Sequence, residues 1–172
     1  ICNRERHDSH LGPRLYNFKG CYVLKFSRPF NLYGTWNEEG LVEKQTREEG
    51  AHVGGYIEFE PGTEMVEVRI GSSFIDFEQA ATNLEKEIPA SAGFEQTKKK
   101  VKAVWETNLD KIQIKGATDD DASTFYTAFF RTMQYPREFS EYGRYYSPFD
   151  DSVHEGVSYN AYSLWDTFRA QH

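Results

Sequence analysis

The sequence predicts an α+β protein of several parts, with a first half of short strands and a second half of helices. Two observations carry this. Runs rich in β-branched and aromatic residues recur before about residue 75, each closed by a Pro or Gly signal. From Asp76 onward the apolar residues recur at steps of three and four instead of two. Aromatic residues make up 16% of the chain, with 13 Phe, 11 Tyr and 3 Trp, so few side chains suffice to build a core. The same rings are flat platforms for hydroxyl-rich ligands, and composition alone does not separate the two uses.

In chain order, Cys21-Tyr22-Val23-Leu24-Lys25-Phe26 reads as a strand stopped by Pro29. Asn31 to Trp36 reads as the next, followed by a polar turn at Asn37-Glu38-Glu39-Gly40. A third covers Ala51 to Glu60 and ends at Pro61-Gly62. Glu64 to Ile70 alternates apolar and charged side chains, the pattern of a half-buried strand with one wet face. Strands this short between Pro/Gly turns point to a sandwich.

The helical half begins at Asp76, a capping residue with Gln79 three positions on in a box-like pair. This helix carries Phe77, Ala80, Ala81 and Leu84 and stops before Pro89. A second starts near Phe94 and carries Val101, Val104, Trp105, Leu109 and Ile112, and Ile112 to Gly116 reads as a brief strand. Asp119, Asp120 and Asp121 load the first turn of a third helix with negative charge, which suits its dipole. Its stripe of Ala122, Phe125, Tyr126, Phe129, Phe130 and Met133 requires a large partner surface. Residues 135–159 read as a long irregular loop, too aromatic to be disordered.

Net charge is −7, from 20 basic and 27 acidic residues, which argues against a nucleic-acid partner. No apolar run approaches the roughly 20 residues that span a bilayer, so no membrane partner is expected. Cys2 and Cys21 either pair in an oxidising compartment or lie as thiols, and two cysteines lack the spacing of a metal site. The chain begins at Ile1 and ends at His172 within a helical pattern, so both ends read as cut and the chain as an interior fragment.

No nucleophile elbow, phosphate-binding glycine loop or dinucleotide fingerprint is present. Carboxylates are plentiful, but none is singled out by its spacing. The informative feature is the order of several phrases: Arg28-Pro29-Phe30, then Tyr33-Gly34-Thr35-Trp36, then Val66 to Ile75 leading into Glu78 to Pro89. Trp105, Leu109 and Ile112 follow, then Thr124 to Ala128, Pro136-Arg137, Tyr145, Phe149-Asp150 and Ser163-Leu164-Trp165-Asp166-Thr167-Phe168-Arg169. In this order they resemble glycoside hydrolase family 92, a family of calcium-dependent α-mannosidases, from about Tyr22 onward.

The resemblance implies a division of the chain into three. Residues 1–75 would be the end of an N-terminal β-sandwich, 76–115 a helical linker, and 116–172 the first helices of an (α/α)6 barrel. It also implies inverting hydrolysis, with one carboxylic acid protonating the leaving oxygen and another carboxylate activating water. Calcium would hold mannose hydroxyls in the full-length enzyme. The acid, base and calcium ligands of the family lie beyond this chain, so no catalytic or metal residue is assigned here and the isolated chain is expected to be inactive.

What carries over is the edge of the sugar pocket: Asp166 as an acceptor for sugar hydroxyls, Trp165 as a neighbouring aromatic, and Arg169 one turn on as the carboxylate's partner. The bland readings are a surface Asp166–Arg169 pair and a core Trp165. Arg137, Asp150 and His154 in the long segment are weaker candidates. The implied partners are a mannose-containing glycan and the remainder of the barrel, and the implied location is extracellular. A non-catalytic carbohydrate-binding remnant is the alternative.

Overall fold

The computed structural model describes residues 2, 3, 17–134 and 136–160. The fold is α+β, with three helices and several small sheets among the described residues. Strands β1 (Cys2–Asn3), β2 (Gly20–Phe26), β3 (Leu32–Asn37), β4 (Gly40–Glu43), β5 (Gly54–Glu58) and β6 (Val68–Ser73) come first. Helices α1 (Phe77–Glu87), α2 (Phe94–Leu109) and α3 (Asp119–Thr132) follow. The last strands are β7 (Arg137–Glu138), β8 (Arg144–Ser147), β9 (Ser152–Glu155) and β10 (Tyr159–Asn160). One sheet has the order β1-β2-β6, in which Cys2 stands opposite the buried Cys21. No described helix is long and apolar enough to cross a membrane. The chain forms two compact units, Leu24–Ile70 and the remainder.

Within Leu24–Ile70 the sheet order is β4-β3-β5, all antiparallel. β3 and β4 join through the expected polar turn, where the Asn37 side chain accepts from the Glu39 N–H at 2.9 Å and Gly40 takes a left-handed φ of 129°. The strand expected over Glu64 to Ile70 begins only at Val68. Just before it, the Glu67 N–H donates to the Ser27 hydroxyl at 2.9 Å, so a side chain replaces a carbonyl of the ladder.

In the other unit the core gathers where α1 lies on β6. Ile75, Ala80, Leu84 and Tyr146 are fully buried. Gly71 permits the close approach, because a Cβ there would stand 2.7 Å from the Leu84 Cβ and against the Ala80 carbonyl. Asp76 caps α1 as expected, accepting from the Gln79 N–H at 2.7 Å. The box is not reciprocal: the Gln79 side chain donates to Asn83 Oδ1 at 2.9 Å instead of reaching back.

Asn83 in turn donates to the Ser72 carbonyl at 2.9 Å and to the Glu141 carboxylate at 2.7 Å. The other oxygen of Glu141 accepts the Phe74 N–H at 2.7 Å. Buried amides therefore find partners on an element far along the chain. Glu141 is presented by a two-residue turn, Tyr142-Gly143, in which both φ values are positive, 54° and 85°. That is the turn whose twist suits a hairpin. The Tyr142 ring is held by the Lys86 ammonium 3.9 Å from its centre, and its hydroxyl donates to Glu87 at 3.2 Å. Glu141→Ala is expected to lower stability by about 2 kcal/mol, as two bonds to a charged acceptor are lost and the Asn83 Nδ2 keeps only its bond to Ser72. A thermal-shift measurement on the full-length gene product checks this, with Glu141→Gln expected to lose less.

Two further expectations are corrected. Ile112 to Gly116 is not a strand: the Ile112 carbonyl accepts from the Tyr126 hydroxyl at 3.1 Å, tying the segment to α3. Residues 136–160 are not irregular, since β8 and β9 form a hairpin and β7 pairs with β10. On α2 and α3 no described residue is fully buried, although Trp105 and Phe130 meet at 4.5 Å between ring centres. The stripe from Ala122 to Met133 is only half-buried, in keeping with its need for a larger partner surface.

Candidate functional site

The hairpin of β8 and β9 is the densest collection of chemistry-bearing side chains in the segment singled out from the sequence. Its register places Tyr145 opposite His154, and the two rings stack with centres 5.4 Å apart. The loop between the strands, Pro148-Phe149-Asp150-Asp151, turns through a left-handed Asp151 at φ 52°. Asp150 Oδ2 then sits 2.9 Å from His154 Nε2. Phe149 at the tip is 79% exposed.

The base of the hairpin is fixed by Tyr146. Its ring is buried, and its hydroxyl lies 2.6 Å from the Asn17 carbonyl and 2.8 Å from Asp151 Oδ1. The Lys19 ammonium covers the same ring at 4.5 Å, and the Asn17 amide donates to the Pro148 carbonyl at 3.2 Å. The neighbouring acids thus have different tasks. Asp151 is turned inward to anchor the loop, while Asp150 is presented outward beside an imidazole and an aromatic ring.

The Ser147 hydroxyl holds the Asp150 carboxyl below the usual carboxylate range; desolvation opposes it, and the bond from His154 adds a lesser lowering. A depressed folded pKa means stabilisation that is present above the ordinary carboxylate value and is lost as pH falls through the folded one. The Asp150 side chain is about half exposed, so screening keeps that contribution small. Ser147→Ala is expected to move the Asp150 titration upward toward the ordinary value, as followed by carboxyl carbon NMR. An unmoved titration would assign the depression to His154.

Of the residues named from the sequence, Asp150 and His154 are brought together. Arg137 lies on β7 opposite Asn160. Trp165, Asp166 and Arg169 lie outside the described residues. Glu141 and Tyr145 were missed as participants; the one local signal was the Tyr-Gly pair, which marks a turn and so a hairpin. The arrangement offers an ionised acceptor, an imidazole and two rings, which suits contact with hydroxyl groups and apolar sugar faces. Among the described residues no group of three or more His, Cys, Asp or Glu side chains forms a metal cradle. The residues described do not fit a calcium site.

The α+β fold and its hairpin do not by themselves assign a class, and comparison with known proteins identifies the family. Residues 79–172, more than half of the chain, match the model of the Glycosyl hydrolase family 92 catalytic domain. The structure resembles that of the family GH92 inverting mannosidase BT2199 from Bacteroides thetaiotaomicron VPI-5482, with a TM-score of 0.81 and 38% identity, covering 90% of this chain and 22% of that one. The family GH92 α-mannosidase BT3965 from the same species, solved with mannoimidazole, shares the fold at a TM-score of 0.73 and 20% identity, covering 92% of this chain and 22% of that one. A protein of Arthroderma benhamiae described as an uncharacterized secreted glycosidase is 32% identical over 127 residues, 69% of this chain and 16% of that protein. The chain belongs to glycoside hydrolase family 92. It spans about a fifth or less of the length of these relatives.

Proposed function

We propose that this chain is one segment of a secreted exo-acting α-mannosidase that hydrolyses α-mannosides of glycans with inversion. The observation that carries the reading is the likeness to the inverting mannosidase BT2199, at 38% identity over 90% of the chain. In this reading residues 1–75 complete an N-terminal β-sandwich, 76–115 link it onward, and 116–172 open an (α/α)6 barrel. The half-buried stripe of α3 supports the last part, because later barrel helices would cover it.

Asp166 accepts bonds from sugar hydroxyls at the pocket edge, Trp165 covers an apolar sugar face and Arg169 orients the carboxylate. The acid and base, two carboxyl groups on opposite sides of the bond, come in this reading from chain beyond His172, as the family resemblance implies. The same later segment supplies the calcium ligands. Residues 1–172 alone therefore bind sugar weakly and hydrolyse none.

The test is the intact mass of the native gene product with peptide mapping across His172, followed by assay on an aryl α-mannoside with and without a calcium chelator. A product several times longer than this chain, hydrolytic with calcium and silent without it, supports the reading. A product that ends at His172 and still hydrolyses mannosides would overturn it.

A further inference from the structure

The sheet of β4, β3 and β5 has two faces of different chemistry. Directly opposed residues of an antiparallel pair share a face, and alternate residues along a strand do too. One face holds Tyr33, Thr35, Val42 and Ile57, and Thr35 is buried there with its hydroxyl 3.4 Å from the Glu48 carboxylate. The other face holds Trp36 opposite Gly54 and Tyr56 opposite Gly34. Both rings lie across the strand beside them. A Cβ at Gly54 would fall 2.5 Å from the Trp36 indole, and one at Gly34 would fall 2.8 Å from the Tyr56 ring. Glycine at these two positions is what lets the rings rest on the backbone.

The rest of this face is mixed: Leu41 stands opposite Trp36 and is exposed, and Leu32 lies beside two carboxylates. Glu43 stands opposite Gly34 and Glu58 opposite Leu32, and both are exposed. Their charges reach the Tyr56 hydroxyl and, after desolvation, help raise its pKa. A second sheet packed here would strip water from both carboxylates, which is costly without partners. Trp36 keeps 40% of its surface exposed.

We propose that this face is a binding platform for a neutral carbohydrate, with the C–H face of a pyranose on Trp36 and Tyr56 and its hydroxyls donating to Glu43 and Glu58. The match is chemical. A pyranose offers an apolar face and peripheral donors, and the sheet offers two rings with Leu41 beside them and two carboxylates that only accept. An anionic ligand would be repelled. A basic peptide would also be drawn to two carboxylates, but its binding would weaken with salt whereas that of a neutral glycan would not.

The experiment is affinity electrophoresis of the full-length gene product through gels holding soluble mannan or, separately, a neutral glucan, with aryl α-mannoside hydrolysis assayed alongside. Retardation by at least one polysaccharide, unchanged by salt, is expected. Trp36→Ala and Tyr56→Ala should each weaken it about tenfold. Glu43→Gln and Glu58→Gln, at exposed positions that should not disturb folding, should weaken it about threefold or more, and they carry the test if either ring variant fails to fold. Absence of retardation, salt-sensitive retardation, or equal retardation of all folded variants would overturn the platform. Hydrolysis without polysaccharide binding would overturn the platform alone, and binding without hydrolysis would overturn the mannosidase reading alone.

Discussion

Asp166→Ala in the full-length gene product is expected to lower kcat/KM on α-mannosides by about 10²–10⁴-fold. A carboxylate that grips two adjacent hydroxyls makes two charge-assisted bonds, each worth about 1.5–3 kcal/mol. Losing both gives about 3–6 kcal/mol, which converts to that range. Asp166→Asn keeps the shape and two acceptor lone pairs but not the charge, so its loss should be smaller. If Asp166 merely pairs with Arg169 on a helix surface, removal costs under about 1 kcal/mol of stability and leaves kinetics unchanged. Steady-state kinetics of Asp166→Ala and Arg169→Ala separate the two. Loss confined to kcat, with KM unchanged, would mean that the contact strengthens in the transition state.

Gly71→Ala is expected to destabilise the unit built on α1 and β6 by about 3 kcal/mol. The added methyl meets the Ala80 carbonyl and the Leu84 Cβ, and neither is the loose end of a flexible side chain. Helix α1 must therefore shift, and it carries Asn83, whose amide holds Glu141, and Gln79, whose amide holds Asn83. Steric strain and polar disruption should be coupled, so Gly71→Ala combined with Asn83→Ala should cost less than the sum of the two. Ser72→Ala, at the neighbouring exposed position, should stay within about 0.5 kcal/mol. Thermal-shift measurements on the full-length gene product check all of these, and a neutral Gly71→Ala would contradict the packing described.

The start of α1 was legible because capping chemistry is local, whereas α2 begins after Gly93 with no side-chain cap. Asp76 was readable as a cap, and the acids at the start of α3 were readable as dipole partners. The residue that caps α3 is Thr118, whose hydroxyl accepts from the Asp121 N–H at 3.2 Å. It stood hidden beside three better-known acids. The hairpin of β8 and β9 was missed for a different reason. Its approach turn places Tyr142 at positive φ, a conformation that local propensity disfavours and that Lys86 and Glu87 support from α1.

Long-range pairing was the least legible feature. Glu141 bonds to the Phe74 N–H 67 residues earlier, and no periodicity announces such a contact. Asp150 and His154 were named singly, but their bond depends on a loop that folds across a hairpin. The family was legible in the order of its phrases, because they record contacts of the complete fold that single elements do not.

Proton NMR of the first sugar released from an α-mannoside by the full-length gene product, with calcium present, tests whether this chain is part of an inverting α-mannosidase. β-Mannose is expected as the first product, followed by slow equilibration to the mixed anomers. α-Mannose appearing first, or no release of mannose at all, would contradict it.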